Sequence, residues 1–161
     1  MDKQTKKPVI TICSSSSFYK QAVDLQDELT ARGFEVLVPI MAEEMKAKNN
    51  FERQNYQPWL TDPTAYDVKA DLMHTHFDKV AQADAILVLN GEKNGMKNYI
   101  GGNVLMEMGL AFHLGLPIVI FYDIPEESKF MEEIRGMLPI VLKGDINNFP
   151  EPEKFGAKAS G

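Results

Sequence analysis

The chain has 161 residues, a length that fits one domain with a complete hydrophobic core. Its 17 basic and 23 acidic residues give a formal net charge of -6, which argues against nucleic-acid binding but still allows a small phosphorylated ligand. The single cysteine, Cys13, excludes an internal disulfide, and neither a secretory signal nor a membrane-spanning apolar run is present, so we expect a cytoplasmic protein without membrane contact.

The first part of the chain is predicted to form two buried strands joined by one helix. Apolar, β-branched runs without alternation predict strands over 8–13 and 34–39. Apolar positions at helical spacing predict a helix over 18–32, which Gly33 ends as a glycine cap. The turn before this helix offers hydroxyl and N–H donors that either hold a phosphate or sugar hydroxyl or only cap the helix. Its candidate substrate-binding residues are Ser14, Ser15 and Ser16.

Residues 40–63 have no clear period, and we expect them to be largely irregular apart from a helical turn or two near the start. Long loops in compact domains are commonly functional or disordered, and disordered chain is poor in aromatic residues. Because this stretch contains Tyr56 and Trp59 as well as Arg53, we interpret it as a lid or an oligomer contact.

The second part of the chain continues the alternation of strand and helix. A helical pattern over 64–82 precedes the clearest central strand, DAILVLN, over 84–90. The other predicted elements are a strand over 117–122, a short helix over 126–135, a strand over 138–142 and a capping turn over 144–149. Residues 150–161 lack apolar periodicity and are predicted to form a loose tail.

Strands that alternate with helices and are apolar throughout indicate a parallel sheet covered by helices on both faces. Sheets of this kind bind ligands outside the carboxyl ends of their strands. That edge here gathers the serine turn, Asn90 at the end of the third strand, and the pair Gly101 and Gly102. The sequence therefore predicts one α/β domain over 1–149, with a polar site at one edge of a five-stranded sheet.

The stretch over 99–115, YIGGNVLMEMGLAFHLG, is predicted to be a buried helix that carries one carboxylate. Asn103 can cap its start, and the residues that follow are apolar on nearly every side. Burying Glu107 without a partner is costly, and we expect the N–H groups and dipole of the helix start to keep it ionised. We interpret Glu107 as a nucleophile, with a structural carboxylate bonded to nearby backbone as the alternative.

No familiar metal or cofactor motif is present in the sequence. His74 and His76 are two residues apart and do not share a helix face. Phosphate-binding loop, dinucleotide fingerprint and serine nucleophile elbow are all missing, so we expect neither metal nor cofactor. What remains is a carboxylate with glycines, serines and the amides of Asn90, Asn98 and Asn103. That set suits a sugar, whose anomeric carbon a carboxylate can attack to form a covalent intermediate.

Residues 107–111, EMGLA, resemble the Glu-x-Gly-x-Ala segment of the nucleoside 2-deoxyribosyltransferase family and of related deoxynucleoside monophosphate N-glycosidases. Residues 83–88, ADAILV, are similar to that family's Ala-Asp strand start, and the early strand with its serine turn also corresponds. The resemblance covers about 9–142. It implies a flavodoxin-like Rossmann fold, a homodimer or higher homo-oligomer, and a small-molecule nucleoside or nucleotide as partner.

The resemblance also implies a reaction. The family cleaves the N-glycosidic bond of 2-deoxynucleosides or their 5′-monophosphates, and Glu107 would attack C1′ to form a glycosyl-enzyme that a second base or water resolves. The chain departs from the family pattern, because Gly101, Asn103 and Val104 stand where an acid, a glycine and a hydroxyl or small residue are usual. Asn90 likewise stands where the family's transferases often carry an acid.

These departures leave open which group delivers a proton to the leaving base. The sequence offers Asp78, His76 and Tyr99, and we take Asp78 and Tyr99 as catalytic candidates beside Glu107. The serine turn favours a 5′-monophosphate as substrate. We therefore expect hydrolysis of a deoxynucleotide as much as transfer between bases. A non-catalytic nucleotide-sensing module on the same fold is the alternative. A phosphoribohydrolase ranks last, because its Pro-Gly-Gly-x-Gly-Thr turn is absent.

Overall fold

The computed structural model describes residues 6–155, which form one five-stranded parallel sheet with helices on both faces. The strands are β1 (Val9–Ser14), β2 (Glu35–Leu37), β3 (Ala85–Leu89), β4 (Ile118–Ile120) and β5 (Ile140–Val141). The helices are α1 (Tyr19–Ala31), α2 (Ile40–Lys48), α3 (Tyr66–Gln82), α4 (Gly102–His113) and α5 (Met131–Gly136). The strand order β2-β1-β3-β4-β5 is that of the flavodoxin-like doubly wound fold, as predicted.

The central strands send alternate side chains into two separate cores. Ile10 and Ile12 of β1 pack with the helix α1, whereas Cys13 of β1 points to the opposite face. That second face is covered by α3, α4 and α5, which contribute residues such as Val80 and Met108. Cys13 therefore faces the same layer as the helix that carries Glu107.

Helix α2 extends the helical turn or two that is expected at the start of residues 40–63. It is a regular helix over Ile40–Lys48 whose buried side chains are Met41, Ala42 and Met45. Only these three are buried, which is too few for a helical period to stand out in the sequence. The rest of the stretch is a series of short 3-10 turns, over Arg53–Asn55, Pro58–Leu60 and Pro63–Ala65.

The carboxyl-terminal part differs from the predictions at two points. The predicted fifth strand is present but shorter: β5 contains only Ile140–Val141, and Leu138 adopts a left-handed φ of 53° that extended chain excludes. The predicted loose tail is ordered as far as Phe155, whose ring centroid lies 5.8 Å from that of Phe34 in the first core. The remainder of that tail, 156–161, lies outside the described residues.

Helix α4 was expected to be buried on every side, but only one of its faces is buried. Val104, Glu107, Met108 and Ala111 face the sheet, while Phe112 is 55% exposed on the outer face. Within residues 6–155, no helix combines the length and apolar character that crossing a bilayer requires.

Candidate functional site

Most of the predicted site residues line one cavity of about 360 Å³. It lies at the carboxyl end of β1, beside the start of α4, which is where a doubly wound sheet binds its ligands. Its size suits a small molecule. The predicted residues that line it are Ser14, Ser15, Ser16, Tyr99, Gly101, Gly102, Asn103 and Glu107.

Two predicted site residues lie elsewhere. Asp78 is exposed on α3, two residues beyond His76 and therefore on a different side of that helix, so it does not line the cavity. Asn90 is fully buried, but its amide joins two strand ends instead of facing the cavity. Its Nδ2 donates to the Asp123 carbonyl at 2.8 Å, and its Oδ1 accepts from the Tyr122 amide at 3.1 Å.

Glu107 lies on the packed face of α4, in the second turn of the helix. The helix begins at Gly102 with Gly101 as its N-cap, so Asn103 is a first-turn residue and not the expected cap. Glu107 lies beyond the first turn, where the dipole and free N–H groups of a helix start act. The helix start therefore provides little stabilisation for its negative charge.

The environment of Glu107 favours the protonated carboxyl, which corrects the expectation of an ionised one. Burial raises the pKa of Glu107 to about 8, against a smaller opposing effect of a hydrogen bond with the Cys13 thiol. Its Oε2 is buried without a partner that meets hydrogen-bond geometry. A thiol is a weak donor, so Cys13 leaves this carboxyl largely unsatisfied.

His76 of α3 is the nearest basic group to this carboxyl. Its Nε2 lies 3.6 Å from Oε2 of Glu107, and the side chain is buried. Burial, and then the charge of Lys79, lower the pKa of His76 to about 4, so the imidazole is neutral at neutral pH. Neither ring nitrogen has a partner in hydrogen-bond geometry, although the Ile12 backbone weakly favours the protonated ring.

Cys13, His76 and Glu107 form a buried cluster that the sequence did not reveal. One ligand-type atom from each residue lies within 4.8 Å of the other two. Burial, and then the nearby Glu107, raise the pKa of the Cys13 thiol well above its usual range. The three residues come from β1, α3 and α4, so no local spacing in the sequence joins them.

The stretch interpreted as a lid or oligomer contact supplies part of the cavity wall. The residues that line it from the segment after α2, which is built mostly of 3-10 turns, are Arg53, Gln57, Trp59 and Leu60. The Nε2 of Gln57 donates to the Oγ of Ser16 at 3.1 Å, which fastens this wall to the serine turn. This arrangement agrees with a cover over the cavity.

Two cations lie beside the serine turn, of which the sequence analysis named only Arg53, and only as part of the lid or oligomer contact. Lys93 donates from Nζ to the Oγ of Ser15 at 3.0 Å, and both Lys93 and Arg53 line the cavity. Desolvation, and then the charge of Arg53, lower the pKa of Lys93. Among residues 6–155, neither cation pairs with a carboxylate. Both lie outside regular helices and strands, so periodicity held no signal for them.

Tyr99 and the glycine pair shape the cavity beside the start of α4. A Cβ on Gly101 would come 2.9 Å from the hydroxyl of Tyr99, so only glycine allows the ring its position. A Cβ on Gly102 would meet no atom within 4 Å, so this glycine borders open space. The Nζ of Lys93 lies 5.0 Å from the Tyr99 ring centroid, on the same wall.

Comparison with known proteins relates the fold to that of a characterised enzyme. No protein-family model and no curated protein sequence matches the chain. A solved structure is similar: a 2-deoxyribosyltransferase from the psychrotolerant bacterium Bacillus psychrosaccharolyticus, with a TM-score of 0.59 and 17% identity. The match covers 93% of this chain and 97% of that one. This chain therefore has the five-stranded parallel α/β fold of a 2-deoxyribosyltransferase.

Proposed function

We propose that the protein cleaves the N-glycosidic bond of a 2-deoxynucleoside 5′-monophosphate through a covalent glycosyl-enzyme on Glu107. The observation that carries the proposal is the unpartnered carboxyl of Glu107 at the wall of the cavity, beside a neutral His76. A buried polar group without a partner is costly, and a ligand that engages it offsets this cost. The fold shared with a 2-deoxyribosyltransferase supports the same chemistry.

The first step requires the ionised carboxylate, and His76 is the nearest base. Because the pKa of His76, about 4, lies below that of Glu107, about 8, the transfer is unfavourable in the free protein and must be driven by substrate binding. The proton of Glu107 moves to Nε2 of His76, which lies 3.6 Å from Oε2 and must approach to hydrogen-bond distance when substrate binds. The carboxylate then attacks C1′, a C1′–O bond forms and the C1′–N bond breaks. The electron pair goes to the base nitrogen, which receives the proton from His76.

The second step frees the enzyme. Water or a second base attacks C1′, and the C1′–O bond to Glu107 breaks. The proton of the attacking group passes through His76 back to the carboxylate of Glu107. Attack by water gives hydrolysis, and attack by a base gives transfer. Tyr99, which lines the same cavity, is the second candidate for proton delivery.

The cations beside the serine turn support a phosphorylated substrate. Lys93 and Arg53 repel each other without an anion between them, and Lys93 already contacts Ser15. A 5′-phosphate would accept charge-assisted hydrogen bonds from both cations and from the serine hydroxyls. A free nucleoside would leave the two positive charges uncompensated.

Self-association through α4 is part of the proposal. Met106 is 46% exposed and Phe112 is 55% exposed, and both lie on the outer face of this helix with Gly109 between them. Large apolar side chains exposed together on one helix are typical of contact surfaces. We propose that two copies associate there, as a homodimer or as part of a larger homo-oligomer.

The reaction can be tested by incubating the protein with 2-deoxynucleosides and with their 5′-monophosphates. Chromatography then measures the released base. We expect the monophosphates to be cleaved, and Glu107→Gln to lower the rate at least about 1000-fold because the amide cannot form the intermediate. Mass spectrometry of acid-quenched wild-type protein should show a deoxyribosyl phosphate adduct on the peptide with Glu107. Glu132→Gln, an exposed carboxylate on α5, is the matched control and should retain the wild-type rate.

Two outcomes would contradict the proposal. Base release by Glu107→Gln at the wild-type rate would remove the nucleophile. Tight binding of monophosphates by the wild-type protein with no release of base would favour the nucleotide-sensing module on the same fold.

A further inference from the structure

We propose that Cys13, His76 and Glu107 form a binding site for Zn²⁺ or a similar transition-metal ion on the inner side of the cavity. The inference goes beyond the proposed function and does not depend on it. The three residues supply a thiol, an imidazole and a carboxylate, each buried and each held by a different element of the fold. Ligands carried by helices and strands are more rigidly placed than ligands on loops.

Unsatisfied polar atoms at the cluster support the site. Both ring nitrogens of His76 and Oε2 of Glu107 are buried without a hydrogen-bond partner. The Nε2 to Oε2 distance of 3.6 Å is too long for these groups to satisfy each other. A metal ion between them would engage a nitrogen and an oxygen at once, and the Cys13 thiol lies within reach of the same point.

The separations suit a tetrahedral ion. Zn²⁺ bound to nitrogen and oxygen at about 2.0–2.1 Å, and to sulfur at about 2.3 Å, places its ligand atoms roughly 3.3–3.6 Å apart. The Nε2 to Oε2 distance of 3.6 Å between His76 and Glu107 exceeds the value of roughly 3.4 Å for a nitrogen–oxygen pair by only about 0.2 Å. The largest separation in the cluster is within 4.8 Å, so side-chain shifts of about 1 Å would complete the geometry.

The types of the three ligands indicate which metal ions the site would bind. A thiolate with an imidazole favours Zn²⁺, Co²⁺ or another transition metal, whereas Ca²⁺ and Mg²⁺ require oxygen ligands. His76 and Glu107 line the cavity, so an ion can enter through it and keep its fourth position for water or a ligand. Metal binding and nucleophilic attack by Glu107 exclude each other, and Zn²⁺ would therefore inhibit the proposed cleavage.

Titration of the chelator-treated protein with Co²⁺ tests the site without any activity measurement. We expect the d–d absorption of a tetrahedral ion and a thiolate-to-cobalt charge-transfer band that saturate together at one equivalent, and Zn²⁺ should displace both. The chain has a single cysteine, so the charge-transfer band reports on Cys13 in the wild-type protein without a variant.

Variants locate the remaining ligands. His76→Ala should weaken Co²⁺ binding more than about 100-fold, whereas His74→Ala, an exposed histidine on the same helix, should leave it unchanged. Cys13→Ser should remove the charge-transfer band. Circular dichroism checks that each variant is folded.

Absence of a charge-transfer band in the folded wild-type protein, or equal loss of affinity in both histidine variants, would overturn the site. Either result leaves the cleavage proposal standing, since that is judged by base release.

Discussion

Two polar residues are buried at the same edge of the sheet, and their surroundings differ in one respect. Asn90 is fully buried, and its amide bonds the backbone of Tyr122 and Asp123. Glu107 is nearly as buried, but its Oε2 has no hydrogen-bond partner, and the neighbouring His76 has none either. Burial alone therefore does not separate a polar group that the fold satisfies from one that it leaves without a partner.

Hydrogen-bond satisfaction is what separates the two. A buried amide with both ends bonded offsets its desolvation cost within the fold, and it ties the ends of β3 and β4 together. A buried carboxyl without a partner leaves that cost uncompensated until a ligand arrives. The comparison predicts that changing Asn90 affects stability, whereas changing Glu107 affects chemistry.

The largest effect on folding is expected from Asn90→Ala. The substitution leaves the Tyr122 amide and the Asp123 carbonyl without their partner, so the free energy of unfolding should fall by about 2–3 kcal/mol. Glu107→Gln should change it by less than about 1 kcal/mol, because Oε2 has no hydrogen bond to lose. Urea unfolding followed by circular dichroism measures both.

Asn55→Ala, at an exposed amide without side-chain hydrogen bonds in the described chain, is the matched control and should unfold like the wild type. The comparison fails if Glu107→Gln destabilises the protein as much as Asn90→Ala does.

A smaller effect, on substrate choice, is expected from Lys93→Gln. Loss of a charge-assisted hydrogen bond to the phosphate should raise the KM for a 2-deoxynucleoside monophosphate by about tenfold, with little change for the free nucleoside. Lys97→Gln removes an exposed cation of the same loop that does not line this cavity, and serves as the control. Steady-state kinetics with both substrates measure the two KM values. Equal changes for nucleoside and monophosphate would argue against a phosphate at Lys93.

The fold could be predicted from the sequence because its signals are local. Buried strands appear as unbroken apolar runs, and Gly33, with its positive φ of 100°, ends α1 as predicted. Helix α2 was predicted only as a helical turn or two, because few of its residues are buried.

The site could be predicted only in part, because its decisive contacts are long-range. Glu107 stands out as a carboxylate in an apolar run, but its protonation depends on how deeply the fold buries it. The sequence placed Asn90 at the right edge of the sheet without indicating whether the amide meets a ligand or the next strand. Cys13 and His76 reach Glu107 only through the packing of α3 and α4 on β1.

The smallest effect on stability is expected at the carboxylate of Asp123, whose backbone carbonyl accepts the hydrogen bond from Asn90. The Lys143 ammonium, and then the Ile124 amide, hold the pKa of Asp123 below its usual range. A carboxylate whose pKa is lower in the folded than in the unfolded state stabilises the fold above the unfolded value of about 3.9, and this contribution is lost as the pH falls through the folded pKa. Because the pair is exposed and screened, we expect less than about 1 kcal/mol.

Urea midpoints of the wild type and of Asp123→Asn measure this contribution. The variant should be slightly less stable at neutral pH, and the difference should shrink as the pH falls below about 3.9 and through the lower pKa of the folded carboxyl, where the wild-type carboxyl is also becoming protonated. Asp145→Asn is not a suitable control, because its carboxylate caps the turn at Asn147. Asp71→Asn is suitable, because it removes an exposed carboxylate beyond the first turn of α3 that has no side-chain partner in the described chain. A difference that persists unchanged at acidic pH would mean that the substitution acts through the hydrogen bond that the Ile124 amide donates to the Asp123 carboxylate, and not through the charge.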